Sequence, residues 1–224
     1  MMWLAECMAA LIGIVDYFSP RLIKSVKHFH AELISASAGV AITYLFMDLF
    51  PRFANGLPRE HNYLFLTVLL GFGLLHIVEK FLYQHYSKSK LRKELAIEGS
   101  VVTAIYHFFI GIVLVSLITQ DPTEGVLFFL PIFLYTSLST LHVHSPKYKS
   151  IRFVVALATL AGVLFAQRNP INPLIGTALL GVIIGALCYT VTRHSLPTGR
   201  AGKPFYFVLG ALAYVILLKV VGAW

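Results

Sequence analysis

Charged side chains are scarce in this sequence. Asp, Glu, Lys and Arg together make up 12% of its 224 residues, against 58% hydrophobic ones. A soluble domain of this size needs far more polar surface, so a water-soluble globular fold is excluded and the chain belongs in lipid. Cysteine is nearly absent. Cys7 and Cys188 stand in separate apolar segments with no CxxC spacing, which argues against redox or thiolate-metal chemistry and leaves two small core residues. The first apolar segment, MWLAECMAALIGIV, lacks a basic leader and carries Glu6, so it reads as a retained span. There is no long linker, low-complexity tract or second soluble domain. Residues 1–224 read as a single transmembrane domain.

What is present is a series of apolar runs. A hydrocarbon core of about 30 Å takes roughly 20 helical residues, and that length divides the chain into eight spans near residues 3–18, 30–50, 62–84, 98–119, 124–144, 151–167, 171–191 and 204–222. All are expected to be helices, because a bilayer offers the backbone no other partner. The predicted fold class is therefore all-α, a polytopic bundle of eight transmembrane helices in contact with lipid.

Lys and Arg outnumber Asp and Glu by 18 to 10, and their distribution is uneven. Arg21, Lys24, Lys27, Lys88, Lys90, Arg92, Lys93, Lys147, Lys149, Arg152, Arg193, Arg200 and Lys203 fall on one side of an eight-span bundle. The other side holds Arg52, Arg59, Arg168 and Lys219. The positive-inside rule makes the basic face cytoplasmic, with both termini outside, in the cytoplasmic (inner) membrane. The excess positive charge then reports topology, and no nucleic-acid partner is expected.

Three stretches carry a resemblance. The second span ends in SASAGVAITYLFMDLFP (35 to 51), the fourth contains HFFIGI (107 to 112), and the fifth contains FFLPIF (128 to 133). Together with the eight-span pattern these resemble the ZIP family of divalent-metal transporters. The resemblance implies a ZIP-like bundle with a metal path between spans four and five. In the family, span two ends in a His-Leu-Leu-Pro-like sequence, and Asp48 stands at that histidine. Of the span-four pattern His-Asn-x-x-Asp-Gly, His107 is kept, while Phe108 and Gly111 replace the asparagine and the aspartate. Of the span-five pattern His-Glu-x-Pro-His-Glu only Pro131 is kept. Phe128, Phe129, Ile132 and Phe133 occupy its four ligand positions.

Pro131 lacks an N–H and clashes with the carbonyl of Leu127, so a helix kink is expected there. The apolar groups around it cannot ligate a zinc-like cation, which needs imidazole, carboxylate or thiolate donors. The polar candidates for a transport path are His107, His76, Asp48, Glu79 and Tyr106, since ionisable groups inside lipid are costly and mark function by default. Each also has a structural reading. His107 and His76 can hydrogen-bond a neighbouring helix, Glu79 can extend towards Lys80 and the interface, and Asp48 can pair with Arg52 at i+4.

A second constellation lies at the basic edge, where His28, His30 and Glu32 open span two, His85 closes span three, and His142 and His144 close span five. Such imidazoles suit a divalent transition metal such as zinc. An H-x-H pair on a helix diverges by about 200°, however, so both rings reach one ion only at a frayed end. Interfacial histidines on a basic surface are the alternative. Gly181 and Gly185 form a GxxxG, a signal for close helix packing within the chain or in a homodimer.

Three functional classes follow. The first is a permease for a divalent cation or other small solute through a non-standard site. The second is a transport-inactive ZIP-like protein with a structural or regulatory role. The third is an intramembrane metal or haem enzyme using His76 and His107 as axial ligands, or a His/Asp set to hold zinc. The first is the expectation, with no enzymatic activity.

Overall fold

In the computed structural model, residues 2–57, 59–85, 88–138, 149–195 and 202–222 are described. Among them the secondary structure is all-helical, with short turns between helices and no strand. The α-helices are α1 (Met2–Ser25), α2 (His30–Tyr44), α3 (Phe50–Asn55), α4 (Phe65–His85), α5 (Lys88–Gln120), α6 (Pro122–Leu138), α7 (Lys149–Arg168), α8 (Pro173–Thr190) and α9 (Pro204–Val221). A π turn, Leu45–Leu49, joins α2 to α3 without a break, so the nine form eight rods. A second π turn, Val191–Ser195, extends α8.

Six of the eight rods are long and apolar enough to cross a bilayer: those over Met2–Ser19, Lys27–Asn55, His61–His85, Ser100–Gln120, Pro173–Arg193 and Pro204–Val221. The chain is thus an integral membrane protein by length and composition of its helices. The surface agrees. On α4, Leu66, Leu69, Leu70, Leu74 and Ile77 face outward, and on α9 so do Phe205, Leu212, Ile216 and Val220. Such a belt is unfavourable in water and neutral in hydrocarbon.

Several helices extend past the expected apolar spans, because hydrogen bonding continues where apolar composition stops. α1 runs through Pro20 to Ser25. The proline deprives the Asp16 carbonyl of its helical donor, and the Ser19 hydroxyl donates to that oxygen instead at 2.9 Å. α6 likewise continues through Pro131. The Leu127 carbonyl released there accepts from the Tyr214 hydroxyl of α9 at 2.9 Å, a bond buried in the bundle. Tyr214→Phe is therefore expected to cost about 1–3 kcal/mol, read as a lower Tm in detergent. In a Pro131→Ala background, where the restored amide serves Leu127, the same change should cost less. Equal losses in both backgrounds would refute the assignment.

Packing is organised by close helix pairs. α2 lies on α9, α4 on α8, and α5 on α7, while α1 touches α6 and α7, and α6 touches α2 and α5. Glycines set the spacing of the three tightest pairs. A Cβ on Gly39 would overlap the Phe207 carbonyl, and one on Gly210 the Ala36 carbonyl. Gly71 and Gly185 stand in the same relation to Val182 and Val68, and Gly111 and Gly162 to Thr159 and Phe108. Backbones this close gain dispersion contact that lipid cannot supply. The GxxxG is thereby placed within the chain, since Gly181 meets Thr67 and Gly185 meets Val68 of α4.

The pairings contain a repeat. Exchanging α1 with α7, α2 with α8, α4 with α9 and α5 with α6 turns the α4–α8 pair into α9–α2, α5–α7 into α6–α1, and α2–α6 into α8–α5. The α1–α7 and α5–α6 pairs map onto themselves, whereas the smaller α1–α5 and α4–α5 contacts have no comparable counterpart. Local features follow the same exchange. The interval from Gly39 to Gly185 equals that from Leu45 to Val191, which begin the two π turns, and that from Pro51 to Pro197 in the sequence.

The exchange reverses direction. α1 and α7 run antiparallel, since Gln167 donates to the Met2 carbonyl near one end and Arg152 to the Tyr17 carbonyl near the other. The main helix pairings thus follow an exchange that is inverted at α1 and α7.

Candidate functional site

The polar side chains expected to share one path fall instead into three groups on three helix pairs. The first lies where α2 meets α6. Asp48 sits in the π turn and is 6% exposed. Arg52 donates from Nη2 to its Oδ1 at 2.6 Å and from Nη1 to the carboxylate of Glu124, in the first turn of α6. One guanidinium therefore bridges two acids. A turn earlier, the buried Tyr44 ring makes edge contacts with Phe128 at 6.4 Å and Tyr214 at 5.9 Å, closing the group from the core. The i+4 pairing of Asp48 with Arg52 is the structural reading of that residue, and Glu124 is the partner that sequence reasoning missed. Its signal was an acid in the first turn of a helix, beside the favourable N-terminal dipole.

The second group joins α4 to α8. Glu79 accepts from the Tyr189 hydroxyl and, at 3.1 Å, from Arg193 in the second π turn. The neighbouring helix thus engages the carboxylate through charge-assisted bonds. His76 is exposed on the outer face of α4, with its ring edge-on to Tyr189 at 5.9 Å.

The third group joins α5 to α7. His107 is 3% exposed, with Nδ1 at 3.4 Å from the hydroxyl of the fully buried Thr159. Gly111, a turn later, meets the Thr159 carbonyl. Two further buried hydroxyls, those of Tyr106 and Thr136, have no hydrogen-bond partner among the described residues. His107, His76 and Asp48 are thus not brought together. Each serves a different pair of helices.

The positions that the resemblance aligns with metal ligands do not converge. His107 and Gly111 turn to α7, whereas Phe128 is fully buried against Tyr44 of α2. Ile132 is 1% exposed, and Phe129 stacks obliquely on Phe133 with centroids 5.2 Å apart. Phe128 and Ile132 belong to the buried apolar core.

At the basic edge His28 is exposed on a short 3-10 turn, Glu32 lies 3.7 Å from Lys203, and His30 buries an Nε2 without a partner among the described residues. His85 contacts the Phe81 carbonyl at 3.0 Å and stacks on that ring. His142 and His144 lie outside the described residues. Among the described residues no group of three or more His, Cys, Asp or Glu side chains is placed to hold a metal ion.

His107→Ala separates a packing role from a path role. A structural histidine leaves Thr159 unpaired, so folded yield and Tm should fall by an amount equivalent to about 1–3 kcal/mol. Unchanged stability with lost uptake would instead make it part of a path. No protein-family model matches the chain, and no curated protein matches it.

Proposed function

We propose that this chain is a permease of ZIP-like, eight-span architecture that moves a small cation or other small solute without using the family's metal ligands. The observation that carries this reading is the inverted pairing of the two halves. Carriers are commonly built from inverted repeats. Each half also carries a π turn, at Leu45–Leu49 and Val191–Ser195, that holds a charged residue in an ion pair, and π turns are frequent at functional sites.

Asp48 with Arg52 and Glu124 on one side, and Glu79 with Arg193 on the other, are the polar groups such a carrier would open and close. His107 and Tyr106 are the candidates between them. The eight-span count extends the six apolar rods by α6, apolar but 17 residues long, and by α7. On that count both termini lie outside and the segment over 87–96, which opens α5, inside. A reporter fused in that segment should read cytoplasmic and one at either terminus external. A cytoplasmic C-terminus would end the eight-span reading.

Uptake by proteoliposomes, for a panel of divalent metals and small organic cations, tests the function alongside elemental analysis of the purified protein. Solute-dependent uptake that fails in Glu79→Gln but survives Phe129→Leu is expected. A second reading, a transport-inactive ZIP-like protein, is favoured by one observation, the burial of apolar Phe128 and Ile132. It takes over if folded protein moves none of the panel.

A further inference from the structure

Two apolar grooves open on the lipid-facing surface, one on each side of α7. The groove between α5 and α7, about 560 Å³, is lined by apolar side chains such as Phe108, Phe109 and Val154, and no polar group marks its occupant. The groove between α1 and α7, about 390 Å³, is different. Its floor is Ala10, Gly13 and Ala156, small because Gly13 lies against the Ala156 carbonyl. Ile14, Phe153 and Leu157, each about half exposed, form its walls.

At the basic end it is closed by a row of four side chains. The Arg152 guanidinium lies 5.2 Å from the centre of the Tyr17 ring, Tyr17 meets Phe18 edge-on at 5.2 Å, and Arg21 lies 5.3 Å from the Phe18 ring centre. Arg152 donates from Nη2 to the Tyr17 carbonyl, but its buried Nε has no acceptor among the described residues. Neither arginine is ion-paired among those residues. Two cations are thus held by aromatic rings at the mouth of a slot that is apolar along roughly 10 Å of α1.

We propose that this groove binds one anionic phospholipid, with its phosphate headgroup at the row that Arg152 and Arg21 flank and one acyl chain along Ala10, Gly13 and Leu160. Guanidinium groups bind phosphate oxygens through charge-assisted hydrogen bonds. Aromatic rings anchor at headgroup level, and the small-residue floor accepts a methylene chain. A choline or ethanolamine headgroup would bring a third positive charge to the same spot, so the site selects net negative lipid. This inference does not rest on the transport reading.

The test is retention and stabilisation of the full chain in a neutral detergent. Phosphatidylglycerol is compared with phosphatidylcholine of the same acyl chains and with glycerol 3-phosphate. Phosphatidylglycerol should stay with the protein through size exclusion and raise Tm, and the other two should not. Arg21→Gln with Arg152→Gln should lower retained phosphatidylglycerol about tenfold, through loss of the positive charge at the headgroup end. Ile14→Trp, which fills the groove from its outward wall, should lower it with both arginines intact, and decides the matter if the double variant does not fold. Arg168→Gln, at the other end of α7, should leave retention unchanged. Equal retention of phosphatidylcholine, equal stabilisation by glycerol 3-phosphate, or full retention in the folded variants would overturn the site.

Discussion

Gly185→Leu is expected to leave almost no folded protein. A Cβ at this position overlaps the Val68 carbonyl and approaches the Phe72 amide, which are backbone groups of α4 that no rotamer change can move. α4 and α8 would have to separate along their whole contact, losing the reciprocal fit at Gly71 as well. Overpacking into movable side chains costs about 1–3 kcal/mol, and a clash with backbone exceeds that range. It belongs with the exceptional losses above about 4–5 kcal/mol. The control is Gly73→Leu on the partner helix α4, where nothing lies within 4 Å of the added Cβ. Monodisperse yield after detergent extraction should collapse for the first and hold for the second. Wild-type yield of Gly185→Leu would show that the pair is not fixed by backbone contact.

Arg52→Met should produce the second large effect. Arg52 is the common partner of Asp48, 6% exposed, and Glu124, 20% exposed. Removing it leaves two carboxylates facing each other across the α2–α6 contact. Breaking a buried pair from one side costs about 3–5 kcal/mol, because the remaining charge keeps its desolvation penalty and loses its partner. The triple variant Asp48→Asn, Arg52→Met, Glu124→Gln should recover most of that loss, since apolar or neutral replacement of a whole buried ionic group is close to neutral. Thermal unfolding in detergent measures both. A triple variant as unstable as the single one would mean that Arg52 acts through packing of its stem instead.

The amino-acid sequence by itself determined the class of molecule. Twelve percent charge and repeated apolar runs allow no other home than a bilayer, and a bilayer allows the backbone no other form than helix. Positions of most helices followed within a few residues, because an apolar run and a helical run share the same chain. The extensions at Ser25 and at Lys88, the start of α5, did not, since hydrogen bonding ignores the edge of the hydrocarbon. The i+4 pairing of Asp48 with Arg52 was legible too, as a local relation on one helix.

Tertiary structure alone decided which side chains meet. Glu79 with Arg193 and Tyr189, Glu124 with Arg52, and His107 with Thr159 join residues far apart in the chain. Spacing along one helix sets a direction but not a neighbour. The same holds for the glycines: Gly39, Gly71 and Gly111 look alike in an apolar run, and only the partner backbones of α9, α8 and α7 make their missing side chains necessary. The inverted halves were hidden for a related reason. Lipid-facing positions accept any apolar residue, so a repeat survives only at glycines, π turns and prolines, where geometry rather than hydrophobicity limits what fits.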